Sequence, residues 1–214
     1  MTSGLFISIE GIEGAGKSTA IKFIYDYLTQ AGKDVVLTRE PGGTALAEQI
    51  RHVLLHPDSA EPMSAEAELL LMFAARAQHI QQLIQPALRA GKWVVSDRFV
   101  DASYAYQGGG RGVAEAHIAY LDHWIVGHHA PELTLLFDIP AAAGLARARG
   151  RGGKADRIES EQQDFFAQVR ERYLARAKAD PKRIHIIDAG QPLLQVHAQL
   201  RSVLDKTFKE TGRL

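Results

Sequence analysis

The sequence predicts an α/β fold: a parallel five-stranded sheet flanked on both faces by helices. Two observations predict it. Short apolar runs alternate with helical patterns along the whole of the 214 residues, the signature of a doubly covered parallel sheet. The stretch Gly11-Ile12-Glu13-Gly14-Ala15-Gly16-Lys17-Ser18 also completes the pattern G-x-x-x-x-G-K-[ST]. It lies between the apolar run Leu5–Ile9 and an amphipathic stretch, Ala20–Leu28. Strand, glycine loop and helix in that order are the frame of a P-loop NTPase three-layer sandwich.

The elements follow in order. Strands are expected at Leu5–Glu10, Asp34–Thr38, Trp93–Asp97, Leu133–Asp138 and Ile184–Asp188. Each is short, apolar and followed by loop or helix signals, as buried parallel strands are. Helices are expected at Ser18–Ala31, Ala45–Leu55, Ala65–Arg89, Ala114–Gly127, Ala141–Arg149, Glu161–Ala179 and Leu193–Phe208. With no internal repeat and no Ser/Pro-rich linker, the chain reads as one domain, residues 1–214, with a basic lid segment at about 147–157. Two glycine-dense stretches, Gln107–Gly112 and Gly150–Lys154, read as exposed, mobile loops.

Composition narrows the function. Twenty-five basic and twenty-five acidic residues cancel, so no overall positive field recruits nucleic acid or an anionic membrane. The absence of cysteine excludes disulfides, thiolate metal ligands and a thiol nucleophile. No apolar run reaches the length of a membrane span, and no leader pattern opens the chain. A cytoplasmic protein is the expectation.

A P-loop serves motors, GTPase switches and kinases alike. The chain contains no asparagine, so it lacks the Asn-Lys-x-Asp reader of guanine. Glycines at 11, 14 and 16 let the backbone curl and aim N–H groups at phosphate, helped by the helix start behind them. Lys17 is placed to reach the β and γ phosphates and Ser18 to ligate Mg²⁺. Asp97 ends the apolar strand Trp93–Asp97 and suits the Mg²⁺ shell, while Arg98 suits a phosphate clamp. Arg147, Arg149, Arg151, Lys154 and Arg157 crowd one short segment with glycines behind Arg151. That is the composition of a closing lid carrying an arginine finger, worth roughly 10³–10⁵ in rate in GTPases. Phe73 and Arg76, three residues apart on one helix, pair an aromatic plane with a guanidinium donor, which suits a nucleobase. Ser103, Tyr106 and Gln107 follow the Asp97-Arg98 strand and are placed to complete such a pocket. The histidines at 52, 56, 123, 128 and 129 lack acids at ligand spacing and read as surface residues.

Several stretches are more specific than the P-loop: Thr38-Arg39-Glu40-Pro41-Gly42-Gly43-Thr44, Leu71-Met72-Phe73-Ala74-Ala75-Arg76, Asp97-Arg98-Phe99, Ala105–Gly112 and Asp156-Arg157-Ile158-Glu159. In order and spacing the chain resembles the bacterial thymidylate kinases along nearly its whole length. The resemblance implies transfer of the γ-phosphoryl of ATP to dTMP, giving dTDP, with Mg²⁺. It implies that Gly11, Ile12, Glu13, Gly14, Ala15, Gly16, Lys17, Ser18 and Thr19 cradle ATP, and that Lys17 neutralises the phosphoryl in transit. It places Glu13 near the sugar 3′-OH, Arg98 on the acceptor phosphate, Arg39 in the acceptor-side loop, Phe73 on the thymine face and Arg76 at its O4. Ser103, Tyr106 and Gln107 would line base and sugar. The P-loop here has no basic residue besides Lys17, so the resemblance is to the lid-arginine type. Arg151 leads there, with Arg149 and Arg147 as alternatives. A homodimer is implied too. The rival readings are another monophosphate or deoxynucleoside kinase and a P-loop nucleotide switch. Glu13 with the Phe73/Arg76 pair argues against a purine acceptor, and the basic lid argues against a switch.

Overall fold

The computed structural model describes residues 4–56, 61–150 and 156–211. Its sheet has five strands: β1 (Phe6–Glu10), β2 (Val35–Arg39), β3 (Trp93–Asp97), β4 (Leu133–Asp138) and β5 (Ile184–Asp188). Their order is β2-β3-β1-β4-β5, and every neighbouring pair is parallel. Each boundary lies within one residue of expectation. The expected burial holds for the three central strands only. At the edges, Leu37 of β2 is 44% exposed and Ile186 of β5 is 50% exposed.

The helices are α1 (Lys17–Gln30), α2 (Ala45–Leu55), α3 (Ala65–His79), α4 (Gln85–Arg89), α5 (Val100–Ser103), α6 (Glu115–Leu121), α7 (Ala141–Arg149), α8 (Gln163–Ala179) and α9 (Leu193–Thr211). Threonine and serine start two of them: Thr44 Oγ1 accepts from Ala47 N, and Ser64 Oγ accepts from Ala67 N. A π turn at Ile80–Ile84 joins α3 to α4, so the predicted single helix Ala65–Arg89 is present with one widened turn. Alternation along β1 divides the core. Leu5, Ile7 and Ile9 share a cluster with Ala20, Ile24 and Leu28 of α1 and with Leu200 and Leu204 of α9. Phe6 joins Leu69, Phe73, Ile80, Ile84, Val94 and Phe99 in another.

One expectation is overturned. The glycine-dense stretch Gln107–Gly112 is not an exposed mobile loop. α5 continues into a π turn at Tyr104–Gly110 that lies against α8, with Gln107 fully buried. The glycines are there for proximity. A Cβ at Gly110 would meet the Phe165 ring at 2.3 Å, and one at Gly109 would meet Gln168 O at 2.9 Å. Of the second stretch, Gly150 closes α7, and residues 151–155 lie outside the described residues.

Candidate functional site

The phosphate loop sits between β1 and α1 as its sequence requires. Gly14 has φ 73°, and a Cβ there would meet Gly144 O at 1.9 Å. Only glycine permits the first turn of α7 to rest on this loop. Lys17 Nζ donates to Gly11 O and Ile12 O, both at 2.9 Å, so the ammonium lies folded over the loop. Burial, and then the charge of Arg98, hold its pKa down to about 8. At neutral pH it is still a cation, and an incoming phosphate would strengthen that state.

A cavity of about 220 Å³ opens beside the loop. The loop residues Glu13 to Ser18 form one wall, with Arg39, Arg51, Met72, Asp97, Arg98, Tyr106, Asp156 and Ile158 around it. Arg98 has φ 71°, the only positive φ outside glycine among the described residues. Its N–H donates to Ile9 O at 2.9 Å and its carbonyl accepts from Ser96 Oγ at 2.7 Å, which holds this costly conformation. The turn swings the guanidinium over the loop. There Nη1 donates to Gly11 O and Nη2 to Glu13 Oε1, each at 2.7 Å. Tyr106 OH donates to Glu13 Oε2 at 2.8 Å, and Arg98 lies 4.9 Å over the Tyr106 ring. Burial first, and the Glu13 carboxylate among the nearby charges, push the Tyr106 hydroxyl well above its usual range, so it remains a donor. Arg51 Nη1 donates to Pro41 O, and Arg39 is held bidentately by Glu48. Three arginines therefore border one small cavity, the setting for a dianionic ligand. Asp97 Oδ1 is buried with no protein partner, on the wall that also carries Ser18 and Lys17.

A second cavity, of about 330 Å³, lies across the loop. Ala15 and Gly16 border both spaces. Thr19, Phe137, Arg147, Ala189, Gln191 and His197 line the rest. Arg147 Nη1 donates to Ala189 O at 2.9 Å, tying α7 to the end of β5.

The expected site residues do not all converge. Phe73 is 2% exposed and sits in the core cluster beneath Phe6 and Phe99, so it presents no face to the cavity. Met72, one position earlier, borders it instead. Arg76, Ser103 and Gln107 lie behind that wall. Arg76 Nε donates to Glu40 Oε2 at 2.8 Å, Nη1 to Ser103 Oγ and Nη2 to Phe99 O, with its guanidinium 4.5 Å over the Phe73 ring. The pair Phe73/Arg76 thus stacks on itself. Arg149 is exposed and borders neither cavity. Arg151 lies outside the described residues.

Directly under Arg98, Glu10 is fully buried, accepting from Phe99 N and Tyr173 OH at 2.7 Å each. Burial, and next Asp101, raise its pKa to about 8. The folded state then holds a proton that the unfolded chain gives up near pH 4.5. Its stabilising contribution is full below that pH and is lost as pH rises through about 8. Glu10→Gln should therefore flatten the decline in Tm between pH 5 and 8, as measured by thermal melts. An unchanged slope would mean that Glu10 is ionised throughout.

Comparison with known proteins gives the family. The family model described as thymidylate kinase matches residues 9–200. The chain belongs to the thymidylate kinase family. A thymidylate kinase of Ectopseudomonas mendocina is 55% identical over 202 residues, covering 94% of this chain and 95% of that one. One of Thiobacillus denitrificans is 53% identical over 201 residues, covering 94% and 96%. The crystal structure of thymidylate kinase from Ehrlichia chaffeensis superposes with a TM-score of 0.75 at 32% identity, over 95% of this chain and 99% of that one. As a member of the thymidylate kinase family the protein is an enzyme, a nucleoside monophosphate kinase and hence a phosphotransferase. Two cavity residues, Met72 and Arg51, escape a reading of the sequence. Arg51 follows Ile50 in an amphipathic helix and looks like any surface arginine. Only its spacing from the Arg39–Thr44 stretch hints that it turns inward.

Proposed function

We propose that the first cavity takes dTMP and the second the adenosine end of ATP, with the triphosphate crossing the loop Gly11–Ser18 between them. The supporting observation is that Ala15 and Gly16 border both cavities, so two ligands on either side meet over one short stretch of backbone. An oxygen of the dTMP phosphate attacks the γ-phosphorus. The bond to the β–γ bridging oxygen breaks, leaving ADP and dTDP. Little covalent chemistry is asked of the protein, which contributes alignment and positive charge.

In this reading Arg98 and Arg51 hold the acceptor phosphate and Arg39 borders it. Met72 offers a thioether surface to the base, and Glu13 with Tyr106 lies by the sugar. Arg76, Ser103 and Gln107 act from behind the wall, supporting Met72 and Tyr106. Lys17 accompanies the phosphoryl group across, and Arg147 lies beside the donor base. Arg151, outside the described residues, is proposed as the arginine brought to the transferring group. Mg²⁺ suits Ser18 and Asp97, whose buried Oδ1 lacks a protein partner; when bound it would spread charge on the β and γ oxygens. A homodimer is part of the proposal, supported by exposed apolar side chains: Leu70 of α3, 58% exposed, and Tyr120 and Trp124, each 69% exposed, with rings 6.4 Å apart.

A coupled ADP-release assay across nucleoside monophosphates tests the acceptor. Turnover of dTMP should exceed that of AMP or GMP by on the order of 10²-fold, the discrimination a fitted apolar pocket achieves. Faster turnover of a purine monophosphate would overturn the assignment.

A further inference from the structure

Behind the first cavity lies a carboxylate that the chemistry above does not use. Glu68, in the first turn of α3, is 1% exposed. Its Oε1 accepts from Gln107 Nε2 at 2.7 Å. Its Oε2 accepts from Arg111 Nε at 3.1 Å and Arg157 Nη2 at 2.7 Å. Arg111 also pairs with Glu161, so two acids and two arginines form a neutral cluster, in which Arg111 Nη2 and Gln107 Oε1 are buried without a protein partner. Arg157 is fastened further, through Nε to Leu54 O at 2.8 Å and through its N–H to Leu55 O at 3.2 Å.

The elements that meet at Glu68 all reach the cavity. Gln107 follows Tyr106, which borders it. Arg157 sits between Asp156 and Ile158, which border it too. Glu68 lies one helical turn before Met72, on the same face of α3. The 156–159 turn is shaped by Asp156 Oδ1, which accepts from Ile158 N and Glu159 N at 2.8 Å each. It has no strand or helix of its own to fix it; Ile158 packs into the core, and its side-chain hydrogen bonds to the body run through Arg157. One carboxylate therefore links three parts of the wall.

We propose that Glu68 is a positioning residue for the acceptor, acting through Arg157 and Gln107 to hold the cavity at the width of a pyrimidine nucleotide. This rests on the reading that dTMP occupies the first cavity. A buried ion pair is weak evidence for a purely stabilising role, because an apolar replacement often does as well. What an apolar group cannot do is fix the direction of two guanidiniums and an amide together.

The test is steady-state kinetics with ATP and dTMP varied separately, on Glu68→Gln, Arg157→Met, the double variant, Arg157→Lys and Met72→Ala. Glu68→Gln and Arg157→Met should each raise the KM for dTMP about tenfold, with the KM for ATP within twofold. The double variant should be no worse than the poorer single one, and Arg157→Lys should recover part of the loss. Thermal melts identify any variant that fails to fold. If Glu68→Gln is one of them, Arg157→Met and Arg157→Lys carry the test. A raised dTMP KM in Met72→Ala with none in the Glu68 and Arg157 variants would overturn the positioning role alone. An unchanged dTMP KM in all of them, Met72→Ala included, would overturn the cavity assignment instead.

Discussion

Lys17→Ala should lower kcat on the order of 10³-fold while leaving the fold intact. Removing one donor that stabilises developing charge costs about 10²–10³ in other enzymes, and here the donor carries a full charge. The fold should survive because Nζ bonds only to the carbonyls of Gly11 and Ile12, which remain free to bind water. Circular dichroism and thermal melts check that half of the expectation, and single-turnover kinetics check the other. Lys17→Arg should not restore activity, since a planar fork cannot replace a compact ammonium at the end of that stem. The pKa held down to about 8 adds a signature. In the free enzyme the cation is lost as pH rises through that value, so kcat/KM for ATP should fall above about pH 8 in the wild type. A kcat within tenfold of the wild type in Lys17→Ala would remove Lys17 from the phosphoryl path.

Arg98→Ala should act on the other substrate. Expected is a loss of about 4 kcal/mol, close to 10³, in kcat/KM for dTMP, the scale found when one partner of a buried charged pair is removed. Its guanidinium is bound to Glu13 and Gly11 O and stacked over Tyr106. The substitution therefore also strands the Glu13 carboxylate with Tyr106 as its only remaining side-chain donor. Alanine further inherits the left-handed backbone at φ 71°, still held by Ile9 O and Ser96 Oγ but without the guanidinium contacts. Arg98→Lys keeps charge but loses the fork, and should recover less than a tenth of the lost rate. ATP affinity, measured by calorimetry, should change little. Equal losses for both substrates would mean that Arg98 supports the loop rather than the acceptor.

The architecture was legible because buried parallel strands are apolar runs with charged ends. Trp93–Asp97 and Leu133–Asp138 needed no knowledge of neighbours. The turn after Phe99 was not legible. Three consecutive glycines say that backbone can bend, but not that α8 has come within reach of Gly109 and Gly110. The site shows a similar division. Lys17, Ser18, Asp97 and Arg98 are fixed by the loop and by the strand ends, so their convergence follows from the topology. Which face of α3 carries the site was not legible, because Leu69–Ala75 is apolar on every side. A helix without a polar stripe gives no rotational phase, and the aromatic residue was the more attractive partner for a base. The structure fixes the phase and turns Met72 toward the cavity.

The contact of Gly14 with Gly144 has a mechanical corollary. Backbone touches backbone there, with no compliant layer of side chains between. α7 runs on for roughly another 9 Å beyond that fulcrum at 1.5 Å per residue, to the Gly150 that closes it. Arg147 fastens that stretch again at Ala189 O, so one short helix rests on both the phosphate turn and the end of β5.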